Sequence, residues 1–516
     1  MICVSVGRTR HKYTIAEHRY LAEQGVQLVE LRLDFIGRSV NLSRLLDERP
    51  CPVVVTCRRR EDGGRWQRSE EERLMLLRGA IAMGVEYVDL EGDIAASIPR
   101  YGQTKRIVSH HDFVQTPDNL EELHQHLAAQ EADIVKIATM ANTVDDVLRM
   151  MELARNAKLP TIAICMGDIG TPTRILAGRL GAPFTYATYS ADRRLAPGQL
   201  NWREMKETYR YDSITPETQL FGVVADPVAH SHSPVIHNAA LAHQEIDARY
   251  LPFRVPAEDL ETFIEACPQL GVRGLSVTIP HKEAALDLMT RAEAAATGIG
   301  AINTIVFDGE ERLGYNTDYR AAMECLLEAM RAAEGDEQPL TGKSALVLGA
   351  GGAARAVAWG LRQKGAKVLV TSRTAERARQ LASDIDGTAI PWEDRHGPRV
   401  DLLVNATPVG MHPDLDSTPF RGDLLNPDCV VFETIYNPER TLLIKDARAA
   451  GCQTITGVEM FVRQAAYQYR LFTDRQPPIE LMREVLKTAT NPVRLGGQIS
   501  HAEPGPAEFG HSGASE

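Results

Sequence analysis

Lys136 is a single charged residue within an apolar, β-branched run from Ile134 to Met140. Burial in a strand disfavours the charged form of a lysine, and a neutral amine can add to a ketone to form a Schiff base. An earlier strand-like run, Ile107 to Phe113, contains His111, which can carry a proton. A lysine and a histidine on neighbouring strands indicate carbanion chemistry beside a carbonyl group. The alternative is that Lys136 only neutralises a carboxylate inside the fold.

A chain of 516 residues exceeds the size of one hydrophobic core, so we expect two or three domains. The net charge of −12 argues against nucleic acid or an anionic membrane as a partner. The eight cysteines include no CxxC pair, which indicates neither a zinc site nor disulfides and fits a reducing cytoplasm. We recognise no signal or transit segment before the first strand and no apolar stretch long enough to span a membrane, so we expect a cytoplasmic protein.

Short β-branched runs alternate with amphipathic stretches through roughly the first 200 residues, and eight such repeats match the closure number of a (β/α)8 TIM barrel. An open, doubly wound sheet is the alternative. The predicted strands are residues 2–7, 26–34, 52–58, 85–92, 106–113, 133–140, 161–167 and 184–190. Charged residues stand near the strand ends, and in a barrel they would converge on the carboxyl-end mouth. They are Glu30, Arg32, Arg58, Glu91, His111 and Lys136.

Composition changes at three places further along the chain. Residues 202–218 are polar and turn-rich, residues 332–342 form a second such seam, and from Asn491 the sequence loses periodicity. We therefore predict an α/β protein made of a barrel, a substrate domain, a nucleotide domain and a disordered tail. The predicted bounds are 1–205, 219–335 with the C-terminal helices 456–488 packing back onto it, 340–455, and 491–516.

Residues 344–365 read as a buried strand, a glycine-rich turn and a helix. The turn residues that would approach a pyrophosphate at the helix N-terminus are Gly349, Ala350, Gly351, Gly352, Ala353 and Ala354. After the next strand, where an acid usually binds the ribose of NAD, the chain instead has Ser372, Arg373, Thr374 and, one helical turn later, Arg377. Arginine and hydroxyl groups suit a 2′-phosphate, so we predict NADP. The alternative is that both arginines only cap or solvate a helix.

Motifs within residues 1–205 resemble type I 3-dehydroquinate dehydratase. They are ELRLD (30–34), VDLE (88–91), HHDFVQTP (110–117), VKIATM (135–140), TPTRILAG around Arg174, and APGQ (196–199). The remainder, to about residue 487, resembles shikimate dehydrogenase through HSHSPVIHN (230–238), LSVTIPHK (275–282), GAINT (300–304), YNTD (315–318), GAGGAARA (349–356), NATPVGM (405–411) and GVEMFVRQAA (457–466). A fusion in this order is similar to the bifunctional enzyme of plants. The resemblance implies two consecutive steps of the shikimate pathway, with 3-dehydroquinate, 3-dehydroshikimate and shikimate as ligands.

For the dehydratase, the resemblance implies that Lys136 forms an imine with the C3 ketone. It also implies that His111 removes the C2 proton and helps to protonate the departing C1 hydroxyl. Asp62, with Glu61 as the alternative, would orient His111. Substrate contacts are implied for Glu30, Arg32, Arg58, Asp89, Arg174 and Gln199. Leu195 stands where the family usually has the serine of SAPGQ, so we expect an active but retuned site.

For the reductase, the resemblance implies that Lys282 supplies the proton, or polarises the carbonyl reduced by NADPH, while Asp318 orients it. A structural ion pair is the alternative. Substrate contacts are implied for Ser231, Ser233, Thr278, Asn303, Tyr436 and Gln464, and further NADP contacts for Thr407, Gly457 and Met460. Tyr319 follows the aspartate where the family commonly has glycine, which would add bulk near the nicotinamide. Neither reaction requires a metal.

Three rival interpretations keep part of this architecture. In the first, the chain is a regulatory or binding protein that has lost catalysis. In the second, its barrel is a class I aldolase with the same lysine chemistry. Alternatively, its second half would prefer quinate. The presence of Lys136, His111, Lys282 and Asp318 argues against the first rival, and the HHDF segment against the second. Ser231 and Ser233 favour shikimate over quinate by resemblance.

Overall fold

The computed structural model describes residues 1–193, 195–334 and 338–491. Of the predicted disordered tail, 491–516, only Asn491 falls inside the described residues. Among these residues, no helix combines the length and the apolar character that crossing a membrane requires.

Eight strands form the first sheet: β1 (Ile2–Val6), β2 (Leu28–Arg32), β3 (Val53–Thr56), β4 (Tyr87–Glu91), β5 (Lys105–Asp112), β6 (Ile134–Met140), β7 (Thr161–Met166) and β8 (Thr185–Thr188). All eight predicted strands are therefore confirmed. Every pairing is parallel, in the order β7-β6-β5-β4-β3-β2-β1-β8. The sheet nearly closes, which confirms the barrel rather than the open sheet. Its helices are α1 (His11–Glu23), α2 (Leu42–Leu46), α3 (Glu70–Ala82), α4 (Leu120–Ala128), α5 (Val144–Asn156) and α6 (Thr171–Ile175).

Alternation along the strands builds the barrel interior in layers, because side chains two residues apart face the same side. One apolar layer contains Cys3, Leu28, Val54, Ile107 and Ile134. Two residues further along the same five strands stand Ser5, Glu30, Thr56, Ser109 and Lys136, all of them buried. A polar layer thus lies directly above an apolar one, toward the carboxyl ends of the strands.

The second sheet is mixed and contains β9 (Gln219–Ala225), β10 (Ala248–Arg254), β11 (Val272–Val277), β12 (Arg291–Ala292), β13 (Thr304–Asp308) and β14 (Glu311–Tyr315). Its order is β10-β9-β11-β13-β14-β12, with β13 antiparallel to β11 and β14. The helices of this unit are α7 (Ser233–His243), α8 (Leu260–Leu270), α9 (Ala284–Asp287), α10 (Ala294–Ile299) and α11 (Thr317–Glu334).

The third sheet is entirely parallel and contains β15 (Ser344–Leu348), β16 (Lys367–Thr371), β17 (Thr388–Ala389), β18 (Leu402–Asn405), β19 (Val430–Glu433) and β20 (Gln453–Ile455). Its order, β17-β16-β15-β18-β19-β20, is that of a dinucleotide-binding Rossmann fold, as predicted. Its helices are α12 (Gly352–Gln363), α13 (Ala375–Asp384) and α14 (Leu442–Ala449). The last helices, α15 (Gly457–Thr473) and α16 (Ile479–Ala489), share an apolar cluster with β9, β10 and α7 of the second unit.

The turn-rich connection between the barrel and the second sheet is firmly packed. Arg249 on β10 is 2% exposed, and its guanidinium donates to the carbonyl oxygens of Tyr209 at 2.6 Å and Arg210 at 3.3 Å, and to Ser213 Oγ at 2.5 Å. One apolar cluster also runs from the barrel into the second sheet, where it includes Phe253. Arg249 therefore attaches the connecting segment to the domain of the second sheet.

We predict that Arg249→Met lowers the free energy of unfolding by about 3 kcal/mol, because the carbonyl groups it serves would be buried without a donor. Thermal unfolding with Arg273→Met as the control measures this, since Arg273 is an exposed arginine on β11. Equal midpoints for the two variants would show that Arg249 does not hold the connection.

Candidate functional sites

Several charged groups of the barrel meet at the carboxylate of Asp89 on β4, which is 1% exposed. Its Oδ2 accepts a hydrogen bond from Lys136 Nζ at 2.9 Å, and its Oδ1 accepts from Arg58 Nη2 at 2.7 Å and from Ser109 Oγ at 2.6 Å. Burial alone would raise the pKa of Asp89, but Arg58, Lys136 and His111 hold that pKa well below its usual range. Asp89 is therefore ionised, and the ion pair considered as an alternative for Lys136 is present.

A second layer of charges fixes Arg58. Arg58 Nη1 donates to Glu91 Oε1 at 3.0 Å, and Arg73 Nη1 on α3 donates to Glu91 Oε2 at 2.7 Å. Arg73 is fully buried and also donates to the carbonyl oxygen of Cys57 at 2.8 Å. Sequence reasoning missed Arg73, because nothing in the pattern of α3 distinguishes it from a solvated arginine.

His111 lies at the carboxyl end of β5 and lines the same cavity as Lys136. Burial, followed by the charges of Arg58 and Lys136, lowers the pKa of His111 well below its usual range, so the ring is neutral at neutral pH. Its Nδ1 is buried and has no hydrogen-bond partner among the described residues. A neutral imidazole with an unoccupied nitrogen is suited to accept a proton.

Asp62 lines the cavity, but its carboxylate is engaged elsewhere. Its Oδ2 accepts from Arg59 Nε at 2.7 Å, and Glu61, the alternative orienting acid, pairs with the same nitrogen at 3.1 Å. The structure therefore places Asp62 near the cavity and does not join it to His111 by a hydrogen bond.

Arg174 on α6 is a buried cation with no salt-bridge partner among the described residues. It is 2% exposed, and burial lowers the pKa of its guanidinium to about 10. One nitrogen donates weakly to the carbonyl oxygen of Pro197 at 3.4 Å, while Nε has no partner in the described part of the chain. Such a guanidinium can receive a carboxylate in a fork geometry.

The remaining predicted substrate residues of the barrel line the cavity with local partners. Glu30 Oε1 accepts from Thr56 Oγ1 at 2.8 Å, and Arg32 forms a two-pronged pair with Asp34 at 2.8 and 2.9 Å. Gln199 Oε1 accepts from the backbone of Leu195 at 2.8 Å and of Ala196 at 3.1 Å. The amide of Gln199 thus shapes the loop that carries Leu195 into the cavity wall.

Tyr186 on β8 also lines the cavity, and sequence reasoning missed it. Lys136 Nζ lies 4.2 Å from the centre of its ring. The available signal was its inward-facing position, two residues beyond Phe184, in a strand already predicted. Lys136 therefore lies between a carboxylate and an aromatic face.

The second cluster is formed by Lys282, which follows β11, and Asp318 in the first turn of α11. Lys282 Nζ lies 2.5 Å from Asp318 Oδ2, and the two side chains are 13% and 8% exposed. A Cβ atom on Gly352, the first residue of α12, would lie 2.7 Å from Lys282 Cδ. Glycine at this position lets the nucleotide-binding turn approach the lysine–aspartate pair.

Two of the predicted substrate segments of the reductase meet through His232. Its ring lies edge-on to Tyr436 at 6.0 Å, and Asn437 Nδ2 lies 3.4 Å from its Nε2. Ser231 and Ser233 flank this histidine, and Ser231 Oγ accepts from the backbone of Ser233 at 3.3 Å.

The other three predicted substrate residues of the reductase, Asn303, Gln464 and Thr278, have local partners in the described residues. Asn303 Oδ1 accepts from the backbone of Thr317 at 2.7 Å, which fixes the start of α11 beside Asp318. The Gln464 amide donates to the carbonyl oxygen of Phe461 within α15 at 2.9 Å. Thr278 is half-buried at the end of β11, where its backbone nitrogen donates to Val224.

The glycine-rich turn fits a dinucleotide. Gly349 has φ +117°, and a Cβ there would lie 2.5 Å from the carbonyl oxygen of Ala406, so only glycine is tolerated. Thr407 donates from its backbone and hydroxyl groups to Asn405 Oδ1 at 3.0 and 2.7 Å, which holds the neighbouring loop. A Cβ on Gly457 would lie 2.2 Å from the carbonyl oxygen of Ile435. The remaining predicted contacts lie on or beside these elements: Ala350, Gly351, Ala353, Ala354 and Met460.

Two arginines follow β16 in the region predicted to read the ribose. Arg377 Nη2 lies 2.5 Å from Oε1 of Glu283, the residue after Lys282. This ion pair therefore joins the nucleotide domain to the segment that carries Lys282. Arg373 is exposed and forms no ion pair within the described part of the chain. Ser372 Oγ accepts from the backbone of Thr374 at 3.3 Å, next to it. Of the two, Arg373 is the one available to an anion.

The position of Tyr319 after Asp318 predicted added bulk near the nicotinamide, but its ring packs between two helices instead. Its ring packs edge-on against Trp359 with centroids 4.9 Å apart. A Cβ on Gly360 would lie 2.9 Å from Tyr319 Cδ2. The tyrosine is therefore part of the packing between α11 and α12.

Glu433, at the end of β19, is a buried carboxyl group that sequence reasoning also missed. It is fully buried and accepts hydrogen bonds from Asn405 Nδ2, Thr441 Oγ1 and the backbone of Ile435 at 2.9 to 3.1 Å. Burial raises the pKa of Glu433 to about 7, against the lowering effect of these hydrogen bonds. Because Asn405 also holds Thr407, this carboxyl group supports the nucleotide loop.

Comparisons with known families match both halves of the chain. Residues 2–216 match type I 3-dehydroquinase, and residues 223–305 match the shikimate dehydrogenase substrate-binding domain. Residues 331–408 match shikimate/quinate 5-dehydrogenase, and residues 457–487 match the shikimate 5′-dehydrogenase C-terminal domain.

Two relatives and one solved structure illustrate the similarity. The chain is 35% identical over 510 residues to the chloroplastic bifunctional 3-dehydroquinate dehydratase/shikimate dehydrogenase of Arabidopsis thaliana, covering 94% of this chain and 84% of the relative. It is 41% identical over 283 residues to the shikimate dehydrogenase (NADP(+)) of Methanosarcina acetivorans, covering 52% and 98%. The solved shikimate 5-dehydrogenase of Thermus thermophilus, in complex with NADP(H) and shikimate, is 36% identical over 52% of this chain and 99% of its own, with a TM-score of 0.47.

We predict that Glu433 makes stability fall with rising pH. Its folded pKa of about 7 exceeds the value of about 4.3 in an unfolded chain, so the folded state binds the proton more tightly. This contribution is complete below pH 4 or so and is lost as the pH rises through about 7. Between about pH 5 and pH 8 the wild type should lose about 2 kcal/mol relative to Glu433→Gln.

Thermal unfolding at the two pH values measures the difference. The control is Glu310→Gln, in an exposed turn, which should follow the wild type. Parallel curves for the wild type and Glu433→Gln would contradict the assignment.

Proposed function

This chain belongs to the bifunctional 3-dehydroquinate dehydratase/shikimate dehydrogenase family, and we propose that it catalyses both reactions in succession. The barrel dehydrates 3-dehydroquinate to 3-dehydroshikimate, and the second half reduces that product to shikimate with NADPH. The observation that carries the first assignment is Lys136, held between Asp89 and Tyr186 in a cavity that also contains neutral His111. The chain is accordingly a lyase and an oxidoreductase.

Lys136 first gives up the proton of its ion pair with Asp89 and adds its amine to the C3 carbonyl carbon; the loss of water gives the imine, which takes a proton back on its nitrogen. His111 removes the C2 proton, and the electron pair of the broken C–H bond moves toward the imine nitrogen. The electrons return as the C1–O bond breaks, and His111 delivers its proton so that the hydroxyl leaves as water. Hydrolysis of the imine releases 3-dehydroshikimate and restores the amine of Lys136.

Arg174 is proposed to bind the substrate carboxylate, because it is a buried cation without an acidic partner in the described residues. Glu30, Arg32 and Gln199 would contact ring hydroxyls from the cavity wall. Arg58 also lines the cavity, and with the buried Asp89 it would position Lys136, because Asp89 accepts hydrogen bonds from both Arg58 and Lys136.

In the reductase, Lys282 donates a proton to the carbonyl oxygen and Asp318 holds the ammonium group in place. Bound NADPH supplies the hydride. The backbone at Gly349 and Gly351 would approach its pyrophosphate, and Arg373 its 2′-phosphate. The substrate residues are proposed as Ser231, Ser233, Thr278, Asn303, Tyr436 and Gln464.

We propose small molecules as the ligands of both sites, with neither nucleic acid nor a membrane as a partner. We also propose a reducing, cytoplasmic location, because the cysteines are not joined in disulfides. All eight are unpaired thiols, and burial raises the pKa of every one of them.

We predict that Lys136→Ala abolishes dehydration of 3-dehydroquinate, because no other amine lines the cavity in the described residues. Reduction of 3-dehydroshikimate by NADPH should remain, since its lysine is in another domain. Borohydride treatment with 3-dehydroquinate followed by mass spectrometry should give an adduct at Lys136 in the wild type only. The control is Lys105→Ala, at the exposed start of the neighbouring strand. Loss of both activities in Lys136→Ala would show that the domains are coupled or that the fold is lost.

We predict that Arg373→Ala raises the KM for NADP about 10-fold to 100-fold and changes the KM for NAD little, because a charge-assisted contact to phosphate contributes about 1.5–3 kcal/mol. Steady-state kinetics of shikimate oxidation with each cofactor measures both values. Arg379→Ala is the control, an exposed arginine of α13 that pairs with Glu376. Equal changes for the two cofactors would refute the 2′-phosphate assignment.

A further inference from the structure

The hydroxyl group of Tyr186 is buried at the barrel cavity without a partner. Tyr186 is 4% exposed, lines the cavity, and its Oη forms no hydrogen bond with any described residue. A buried polar atom left unpaired destabilises the fold. Such a cost at a cavity wall is expected where a bound molecule completes the hydrogen bond.

The chemistry of this hydroxyl is that of a donor. Burial, followed by the charges of Glu30, Cys3 and Asp89, raises the pKa of Tyr186 well above its usual range, so the phenol stays protonated. A neutral phenol both donates and accepts one hydrogen bond readily. A ligand that completes its hydrogen bond must offer an acceptor atom, such as a hydroxyl or carboxylate oxygen.

The ring of Tyr186 has a separate contact. Lys136 Nζ lies 4.2 Å from its centroid, a cation–π distance, and the ring packs edge-on against Phe184 with centroids 5.6 Å apart. The aromatic face is thus fixed beneath the nitrogen that becomes cationic when the imine is protonated.

The loop that follows β8 does not offer a competing hydroxyl group from Leu195. Leu195 lines the cavity with an apolar side chain, and its backbone nitrogen is already bonded to Gln199. Among the described residues that line the cavity, only Ser5 and Tyr186 carry a hydroxyl group.

We propose that Tyr186 donates a hydrogen bond from Oη to an oxygen of the bound ring substrate while its aromatic face stabilises the cationic nitrogen of Lys136. The inference rests on the proposed dehydratase function. It makes Tyr186 a substrate-binding residue whose hydroxyl compensates for the apolar Leu195.

Tyr186→Phe separates the two contacts, because it removes Oη and keeps the ring. Its kcat/KM for 3-dehydroquinate should fall about 10-fold, mainly through a higher KM, since a neutral hydrogen bond contributes about 1–1.5 kcal/mol. The borohydride-trapped adduct at Lys136 should still form at saturating substrate. The thermal midpoint should stay the same or rise, because the variant loses an unpaired buried hydroxyl.

In Tyr186→Leu the aromatic face is lost as well, so kcat should also fall. Tyr211→Phe is the matched control: Tyr211 is a buried tyrosine outside the cavity, near Gly178, and its variant should keep the wild-type KM. Reduction of 3-dehydroshikimate should be equal in all variants.

Two results would overturn the inference, and they are distinguishable. A wild-type protein that gives no trapped adduct with 3-dehydroquinate would refute the dehydratase function and this inference with it. A wild type that is trapped at Lys136, together with a Tyr186→Phe variant of unchanged KM and lower thermal midpoint, would refute the inference alone. The hydroxyl would then be structural.

Discussion

The buried carboxylate of Asp89 is the constraint on which the barrel site depends. An ionised carboxyl group inside a protein is stable only when cations and hydrogen-bond donors surround it, and each buried cation then needs an anion in turn. The side chains that meet this requirement, directly or in series, are Arg58, Ser109, Lys136, Glu91 and Arg73. They come from strands β4, β5 and β6, from the loop that follows β3, and from helix α3. Lys136 therefore has its position because of charge compensation, and the cavity forms above an already rigid network.

Periodicity explains how much of this was predictable from the sequence. All eight barrel strands and the nucleotide fold follow from local runs of β-branched residues, and Lys136 and His111 lie on such strands, so both reach the cavity. Where a side chain has several potential partners, the partner that it contacts in the folded protein was not predictable from the sequence. Asp62 pairs with Arg59 and not with His111, and Tyr319 enters a helix interface, because the competing partner becomes available only in three dimensions.

The departures from the family pattern all lie outside the strands. Leu195 and Asp62 belong to loops, and Tyr319 lies on a helix beside the cleft. Loops vary in geometry without disturbing strand pairing, whereas a change in the polar layer would leave a buried charge uncompensated. The buried polar layer is therefore built mainly on the strands, and loop positions such as Leu195 can differ without disturbing it.

The lysine–aspartate pairs Lys136–Asp89 and Lys282–Asp318 differ in how many other partners the carboxylate has. Asp89 keeps Arg58 and Ser109 as partners if Lys136 loses its proton, so the amine can become neutral without stranding the carboxylate. Asp318 has only Lys282 as an ion-pair partner in the described part of the chain, so deprotonation of this lysine would leave its acid unpaired. The first arrangement suits a nucleophile and the second a proton donor. The number of other partners of each aspartate thus separates the lysine proposed to form the imine from the lysine proposed to protonate the carbonyl oxygen.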